Sequence, residues 1–284
     1  MKRSKSNTVI ITGATGFIGQ ACCKHLEKSG FDVIRVGRSS SDNVYCDLTL
    51  PDSVWNLNRL PAYKAFIHLG AHIGWDGSSL QDMYLPNVVS TALIADITRK
   101  HDAHLIFASA AIIAGLNAEE ISVSSEDDPD TPYSKSKQLA EQCLNASGAD
   151  ATILRIGGVY GHNGPSHLGL NRTIRAALDG KTPIVYGTGS GKRNYVYVED
   201  LASILVEVLY SRTTGTHLVG GADILSISEI YQMVCEVFDL SSPPSFQAGN
   251  SSSSQIISAF PSFTGTTSFS EGMKSIKLLA AQLS

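Results

Sequence analysis

Short apolar runs alternate with longer amphipathic segments through the first half of the chain. The apolar runs are rich in β-branched residues, as buried strands are, and they lie at Thr8–Ile11, Asp32–Val36, Ala65–Leu69, His104–Ala108 and Ala151–Arg155. Helical spacing of apolar residues predicts helices near Gly16–Lys28, Asp52–Leu57, Ser79–Lys100 and Thr131–Ser147. This alternation predicts an α/β fold with a mostly parallel sheet, covered on both faces, and a ligand at the carboxyl ends of the strands.

The pattern becomes looser after Gly157, where glycines are frequent. Helices are predicted at Leu170–Asp179, Val198–Tyr210 and Glu271–Gln282, and a strand at Thr182–Tyr186. The run Asn250–Ser254 is almost entirely serine and is interpreted as a loop.

Composition and charge exclude several classes of protein. Hydrophobic residues make up 43% of the 284 residues and charged residues 17%, which is typical of a soluble globular protein. The net charge of −4 gives no electrostatic reason to expect nucleic acid or an anionic membrane as a partner. The basic start at 1–6 runs directly into the first strand, so it is interpreted as a disordered tail of a cytoplasmic protein. No stretch approaches the roughly 20 apolar residues that a membrane span needs.

Cysteine and histidine patterns give no sign of a metal site. The five cysteines are scattered through predicted helices and strands, and no pair has the spacing of metal ligands. The eight histidines form no metal motif either. We therefore expect reduced, packed thiols and no bound metal.

A glycine-rich turn joins the first strand to the first helix. The segment Thr12–Gly19 reads TGATGFIG, in which Gly13 permits a tight turn and Gly16 permits close approach of the backbone to a pyrophosphate. Gly19 is expected to let the helix lie close to the sheet. A turn between strand and helix is the context of a phosphate cradle, so we predict a dinucleotide site. Its predicted contacts in this turn also include Thr15, Phe17 and Ile18.

A tyrosine and a lysine lie four residues apart at the start of a predicted helix. Tyr133 and Lys137 therefore share one helix face. Free tyrosine has a pKa near 10, and a nearby ammonium would lower the pKa toward neutral by stabilising the phenolate. The lysine can also hydrogen-bond a cofactor ribose. The alternative is an exposed helical pair without a role, and the upstream glycine turn favours the catalytic interpretation.

These motifs and their order resemble the extended short-chain dehydrogenase/reductases, the NAD(P)-dependent sugar-nucleotide epimerase/dehydratase group. Three further similar segments concern the cofactor and the active site: Cys46–Leu48, with Asp47 and Leu48 at the adenine; Ile67–Ala71, with Leu69, Gly70 and Ala71 beside the nicotinamide half; and Asn87, which steadies the strand of the active site. Two more concern the substrate: Leu154–Gly161 lies at the crossing into the substrate part, and in Tyr186–Asp200 the side chain of Arg193 would face the diphosphate of the substrate. Several of these residues are thus expected to contact the cofactor, Asn87 among them.

The resemblance implies a Rossmann-type doubly wound parallel sheet with a smaller α/β substrate-binding part. Residues 1–157 would form the dinucleotide-binding domain, and residues 158–284 mainly the substrate part, with 193–220 returning to the first domain. It also implies a homodimer formed through the apolar residues of Leu80–Ile97 and Leu139–Leu144, although these residues could equally serve only to cover the sheet.

The chain departs from the family pattern at the substrate hydroxyl. Counting back five residues from Gly115 leads to Ala110, where relatives place a serine or threonine that polarises the substrate oxygen. Ser109 is adjacent, but neighbouring side chains of a strand point to opposite faces, so Ser109 can replace it only if the chain bends there. His72 is another donor that could serve. Gly158 stands where many relatives have asparagine near the substrate phosphates, so that amide is missing here.

The end of the second strand bears on the choice of cofactor. Gly37 stands where NAD enzymes usually have an acidic residue for the ribose hydroxyls, and Arg38 and Ser39 follow. A guanidinium and a hydroxyl suit a 2′-phosphate, and we find no carboxylate at this place in the sequence that would repel it. The sequence therefore favours NADP(H) over NAD(H). The alternative is an arginine exposed in a polar loop.

Three functions remain open from the sequence. The first is hydride transfer on a nucleotide-activated sugar, by keto-sugar reduction or C4 epimerisation, with Tyr133 as general acid/base. The second is reduction of a small carbonyl compound without a nucleotide, which Gly158 favours and Arg193 opposes. The third is a dinucleotide-sensing module without turnover, which only Ala110 supports.

Overall fold

The computed structural model of the protein describes residues 7–74 and 77–283, so the basic start at 1–6 lies outside the described residues. The chain divides into two compact units. The first comprises Met1–Gly115, Glu126–Arg155 and Ala202–His217, and the second comprises Leu116–Ser125, Ile156–Leu201 and Leu218–Ser284. Compared with the predicted domains, 116–125 lies in the second unit, and the segment that returns to the first is 202–217.

Strands and helices occur in the following order. The strands are β1 (Thr8–Thr12), β2 (Asp32–Gly37), β3 (Val44–Tyr45), β4 (Ala65–His68), β5 (His104–Ala110), β6 (Glu120–Ile121), β7 (Ala151–Ile156), β8 (Val159–Tyr160), β9 (Ile184–Tyr186), β10 (Lys192–Arg193), β11 (Val196–Tyr197), β12 (Gly215–Val219), β13 (Leu225–Ser226), β14 (Ser245–Gln247) and β15 (Ile256–Ile257). The α-helices are α1 (Phe17–Lys28), α2 (Pro51–Trp55), α3 (Leu80–Met83), α4 (Ser90–Lys100), α5 (Pro132–Ser147), α6 (Gly169–Leu178), α7 (Val198–Ser211), α8 (Ile227–Val237) and α9 (Phe269–Leu283).

The main sheet has seven strands in the order β12-β7-β5-β4-β1-β2-β3. Parallel pairing joins β1 to both β2 and β4, and β4 to β5, so these strands end at one edge. Ile10 packs into a core cluster with residues of α4 and α5, while Val9 and Ile11, on the opposite face of β1, are also fully buried. The predicted Rossmann-type parallel sheet, covered on both faces, is confirmed.

The predicted helix Ser79–Lys100 is not one regular helix. A short α3 is followed by a π-helical segment at Tyr84–Val89, and α4 begins only at Ser90. Pro86 lies within the π-helical segment and lacks the backbone N–H that a regular helix needs, which explains the local change of hydrogen bonding.

The second unit contains short two-stranded pairings. They are β11 with β8, β14 with β9, β15 with β6, and the antiparallel pair β10 with β13. The sequence analysis missed α8, although it begins with a full capping box between Ser226 and Glu229. None of the helices within the described residues combines the length and the hydropathy that a membrane span requires.

Candidate active site

The glycine turn is as tight as its sequence predicts. Gly13 has φ +69°, and a Cβ there would lie 2.8 Å from the backbone nitrogen of Gly70, two residues after the end of β4. A Cβ on Gly19 would lie 2.0 Å from the carbonyl oxygen of Gly13. Gly19 therefore lies against the glycine turn, whereas the sequence analysis expected it to lie against the sheet. No other residue type fits either position without moving the backbone.

The amino terminus of α1 is left open toward an anion. Gly16 is the N-cap residue of α1 and makes no side-chain cap hydrogen bond, whereas Thr131 caps α5 through its side chain. The first N–H groups of α1, beginning with Phe17 and Ile18, therefore have no side-chain acceptor at the cap. This arrangement fits a pyrophosphate, which the helix dipole and free N–H groups would stabilise.

A cavity of about 950 Å³ extends along the carboxyl ends of β2, β1 and β4 within the first unit. The predicted cofactor and substrate residues that line it are Gly13, Thr15, Arg38, Ser39, Asp47, Leu48, Gly70, Ala71 and His72. The cavity is also lined by Thr12, Gly37 and Cys46, which belong to the segments singled out in the sequence. The sequence analysis missed four further lining residues, namely Val36, Thr49, Asp82 and Pro86. Most of these adjoin a predicted residue in the chain. The carboxyl ends of the strands are the place where doubly wound sheets bind dinucleotides.

Asn87 joins this cavity to the start of α5. Its side-chain amide accepts a hydrogen bond from the backbone N–H of His72 at 2.7 Å and donates to the carbonyl of His72 at 2.8 Å. The same amide nitrogen lies 2.9 Å from Oγ of Ser136, which in turn bonds the carbonyl of Tyr133. Asn87 is fully buried. It therefore positions the loop after β4 and the first turn of α5, and all these contacts are with protein groups.

Tyr133 and Lys137 lie on the first turns of α5, beside β5. Thr131 and Ser134 form a capping box and Pro132 is the first helical residue, which explains why the helix begins there. The ammonium nitrogen of Lys137 lies 5.9 Å from the centre of the Tyr133 ring and 4.5 Å from the centre of the Phe107 ring. It donates a 2.7 Å hydrogen bond to the carbonyl of Ala108 on β5. The predicted shared face is thus observed.

Burial dominates the ionisation of this pair. It lowers the pKa of Lys137 to about 7, although the carboxylate of Glu141 favours the charged form. It raises the pKa of Tyr133 to about 12. The expected lowering of the tyrosine pKa is therefore not observed, because burial disfavours the phenolate and the lysine bonds a carbonyl. Tyr133 is accordingly a protonated group at neutral pH, able to donate a proton.

The hydroxyl of Ser109 does not take the place that Ala110 leaves. The strand β5 runs extended through Ala110, with φ −134° and ψ 132°, so no bend turns Ser109 toward that face. Ser109 is buried and donates to the carboxylate of Glu141 on α5. Ala110 itself is also buried.

His72 and Arg193 are each held by protein contacts in their own unit. In the first unit, Nε2 of His72 lies 2.8 Å from Oγ of Ser78. In the second unit, Arg193 is half-buried on β10 and donates to the carbonyls of Lys192 and Ser253. Serine hydroxyls of the predicted loop also bond this region, since Ser254 accepts from the backbone N–H of Lys192 at 3.1 Å.

Two further expectations concern carboxylates and metals. Asp42 on the loop after β2 extends its carboxylate beside Gly37, where a Cβ would lie only 2.4 Å from Oδ2. The expectation that no carboxylate lies at the end of β2 is therefore wrong, because the loop folds back on itself.

Across 7–74 and 77–283, no group of three or more potential ligands could hold a metal ion.

A family profile described as NAD dependent epimerase/dehydratase family matches residues 9–220, which include the glycine turn, the cavity and α5. The chain belongs to this family. A relative in the family, the UDP-N-acetyl-α-D-glucosaminuronate decarboxylase of Bacillus cytotoxicus, is 28% identical over 82% of this chain and 81% of its own length. The 2-alkyl-3-oxoalkanoate reductase of Stenotrophomonas maltophilia is 27% identical over 78% of this chain and 71% of its own.

Solved structures have the same fold as this chain. The UDP-glucose 4-epimerase of Thermotoga maritima, solved with UDP-glucose, has a TM-score of 0.84 at 19% identity, covering 98% of this chain and 100% of its own. The enzyme WbmH of Bordetella bronchiseptica, solved with NAD+, has a TM-score of 0.80 at 21% identity, covering 94% and 95%. The likeness shows the fold that this family shares.

Proposed function

We propose that this protein is an NAD(P)-dependent oxidoreductase or epimerase of a nucleotide-activated sugar, acting by keto-sugar reduction or C4 epimerisation. The observation that carries the proposal is the placing of Tyr133 and Lys137 on one face of α5, which Asn87 and Ser136 connect to the cavity at the carboxyl ends of the strands. The relatives named for UDP-sugar chemistry support the substrate class.

Each side chain has a separate task in this proposal. A bound nicotinamide would supply the hydride acceptor and donor. Tyr133, protonated at neutral pH, gives a proton to the substrate oxygen in reduction and takes it back in oxidation. Lys137, held against the carbonyl of Ala108, would hydrogen-bond the ribose of the cofactor and so hold the nicotinamide near the substrate carbon. Gly13, Gly16 and the open end of α1 would hold the pyrophosphate.

The substrate residues are assigned in the same proposal. His72, on the cavity wall, would donate to the substrate oxygen that Ala110 leaves without a hydroxyl. Arg193 would face the diphosphate, after exchanging its contact with the carbonyl of Ser253 for the phosphate. For the cofactor, Arg38 and Ser39 favour NADP(H), whereas the carboxylate of Asp42 beside Gly37 opposes it.

The first test is a turnover assay with the purified full chain. Consumption of reduced nicotinamide with a 4-keto-sugar nucleotide would identify a reductase. Interconversion of UDP-sugars by protein that retains its own cofactor would identify an epimerase. Stabilisation against heat by UDP, GDP or dTDP would identify the nucleotide, because a ligand that binds only the folded state raises the melting temperature. Absence of both turnover and stabilisation would contradict the proposal.

A second candidate function is reduction of a small carbonyl compound. The S. maltophilia relative favours it, since its name describes a 3-oxoalkanoate reductase. Within the second unit, a Cβ on Gly158 would lie 2.5 Å from the Tyr195 ring, so that ring fills the space of the asparagine found in many relatives. Turnover of a β-keto acid without heat stabilisation by any of the three nucleotides would decide for this candidate.

A cytoplasmic homodimer is also proposed. Five free cysteines, four of them buried, support a reducing compartment. Exposed Tyr84 and Leu85, beside α4, support an interface there, because such groups are often covered by a partner. Light scattering of the purified protein would measure its mass, and a monomer at micromolar concentration would contradict the dimer.

A further inference from the structure

The backbone of His72 is fixed on the wall of the cavity, close to the first turn of α5. Both of its backbone polar groups bond the side chain of Asn87, at 2.7 and 2.8 Å. The same amide lies 2.9 Å from Oγ of Ser136, whose hydroxyl bonds the carbonyl of Tyr133. A single buried side chain therefore separates His72 from the turn that carries the proposed proton donor.

The imidazole ring of His72 has a partner of its own. Nε2 lies 2.8 Å from Oγ of Ser78, six residues later in the chain. His72 is half-buried and lines the cavity, whereas Ser78 is not one of the lining residues. Nδ1 of His72 makes no hydrogen bond to a described residue. Ser78 therefore engages one ring nitrogen and leaves the other for a ligand in the cavity.

A tight loop brings Ser78 back to His72. Gly74 and Gly77 have φ +73° and +88°, and the N–H of Gly77 bonds the carbonyl of Gly74 at 3.3 Å. A Cβ on Gly74 would lie 3.1 Å from Cβ of Ser78 and 2.1 Å from Cε of Met83 on α3. Ser79, the next residue, begins α3 with a capping box. Ser78 is therefore placed by the backbone on either side of it.

The bond to Ser78 bears on which nitrogen of His72 carries the proton. A neutral imidazole has one N–H donor and one acceptor nitrogen. A serine hydroxyl that donates to Nε2 makes this nitrogen the acceptor, so that the proton stays on Nδ1. Nδ1–H can then donate to an oxygen in the cavity, which is the hydrogen bond that the missing hydroxyl at Ala110 does not supply.

We propose that Ser78 is a positioning residue, which donates to Nε2 of His72 and so presents Nδ1–H to the substrate oxygen. This role rests on the proposed function, in which His72 replaces the donor missing at Ala110.

The position of the proton can be measured without substrate. At about pH 8.5, roughly two units above the ordinary pKa of histidine, ¹⁵N NMR of the purified full chain distinguishes a protonated from an unprotonated ring nitrogen. We expect His72, identified by the signals that His72→Ala loses, to carry its proton on Nδ1. In Ser78→Ala the proton should move at least partly to Nε2. A native protein with the proton on Nε2 would overturn the proposal.

The turnover assay separates positioning from a purely structural role. Ser78→Ala should lower kcat by about tenfold and leave KM within about threefold, because an oxyanion donor that loses its orientation loses part of its effect on the rate. Ser78→Thr retains the hydroxyl and should restore kcat to within about threefold of the native value. Ser241→Ala, at an exposed position in the loop after α8, is the matched control and should leave kcat unchanged.

A double variant tests whether Ser78 acts through His72. In the His72→Ala background, Ser78→Ala should lower kcat no further, because residues that act as a unit have effects that are not additive. A further loss of about tenfold in that background, or a kcat of Ser78→Ala within about twofold of native, would overturn the role of Ser78 while the proposed function stands. Absence of turnover by the native protein would contradict the proposed function, and the NMR measurement would still decide whether Ser78 fixes the proton of His72.

Discussion

Ser109 on β5 donates its hydroxyl hydrogen bond to Glu141, which lies one helical turn beyond Lys137 on α5. Glu141 also binds the guanidinium of Arg155 at 2.7 Å, and Arg155 binds Asp127 through both of its terminal nitrogens. These contacts raise the pKa of Arg155 further. Ser109 therefore belongs to a buried polar network that joins β5, α5 and β7, with its hydroxyl already used.

Because its hydroxyl is already bonded to Glu141, we predict that Ser109 has a structural role. Ser109→Ala should lower the free energy of unfolding by about 1–2 kcal/mol, because Glu141 loses a donor, and should leave kcat within about threefold. Ala110→Ser should raise kcat, because it adds a hydroxyl donor beside the one that His72 is proposed to supply, and a single oxyanion donor can be worth roughly 10²–10³ in rate. Urea unfolding and the turnover assay measure the two effects. A hundredfold loss of kcat in Ser109→Ala without loss of stability would contradict this assignment.

Tyr133→Phe is expected to abolish proton transfer while the site remains formed. Removal of a general acid lowers kcat by about 10²–10⁴, and dinucleotide affinity should change little because the ring remains. Lys137→Met should lower kcat and weaken dinucleotide binding, since it removes the ammonium that lies against Ala108 and is proposed to bond the cofactor ribose.

Matched controls for these two variants exist in the chain. Tyr45 and Lys135 are both exposed, so Tyr45→Phe and Lys135→Met should leave both quantities unchanged. If Tyr133→Phe kept full activity, the catalytic role would be lost, and a binding module without turnover would become the better interpretation.

Asn87→Ala is predicted to affect stability and the cavity together. It removes one amide that satisfies both backbone groups of His72 and also contacts Ser136. Leaving such buried groups without partners costs about 1–3 kcal/mol. The melting temperature and dinucleotide affinity should both fall. Asn145→Ala, at an exposed position of α5, is the comparison, and equal effects of the two variants would show that Asn87 has no special positioning role.

Because of the buried His68, we expect the free energy of unfolding to fall in mild acid. This residue is buried between the hydroxyls of Thr12 and Thr91, and burial, together with the charge of Lys137, lowers its pKa to about 3. Below about pH 6.5 the unfolded chain binds a proton that the folded chain does not, so stability falls as the pH falls from 6.5 toward 3. At pH 5 this amounts to about 2 kcal/mol.

Urea unfolding at pH 7.5 and pH 5 checks this prediction. In His68→Gln the difference in the free energy of unfolding between pH 7.5 and pH 5 should be smaller by about 2 kcal/mol. Burial also lowers the pKa of His104, so part of the acid dependence remains in the variant. His25→Gln should keep the full difference. An unchanged difference in His68→Gln would show that His68 does not titrate in this way.

Local features of the sequence were sufficient for the parts of the molecule that local physics controls. The glycines of Thr12–Gly19, the β-branched runs of the sheet and the capping box at Thr131 each act within a few residues, so the chain itself predicts the fold, the glycine turn and the shared face of Tyr133 and Lys137. The sequence also showed that Ala110 departs from the family pattern, because its spacing along the strand identifies the position where the hydroxyl is missing.

Only the tertiary structure determined the contacts and pKa values that depend on residues far apart in the chain or brought together by a loop. The hydroxyl of Ser109 faces Glu141 because α5 packs on β5, and the pKa of Tyr133 rises because that packing excludes water. The carboxylate of Asp42 lies beside Gly37 because two backbone bonds close the loop after β2. Hydrogen bonds and burial of this kind depend on distance in space, and the order of residues alone does not contain that distance.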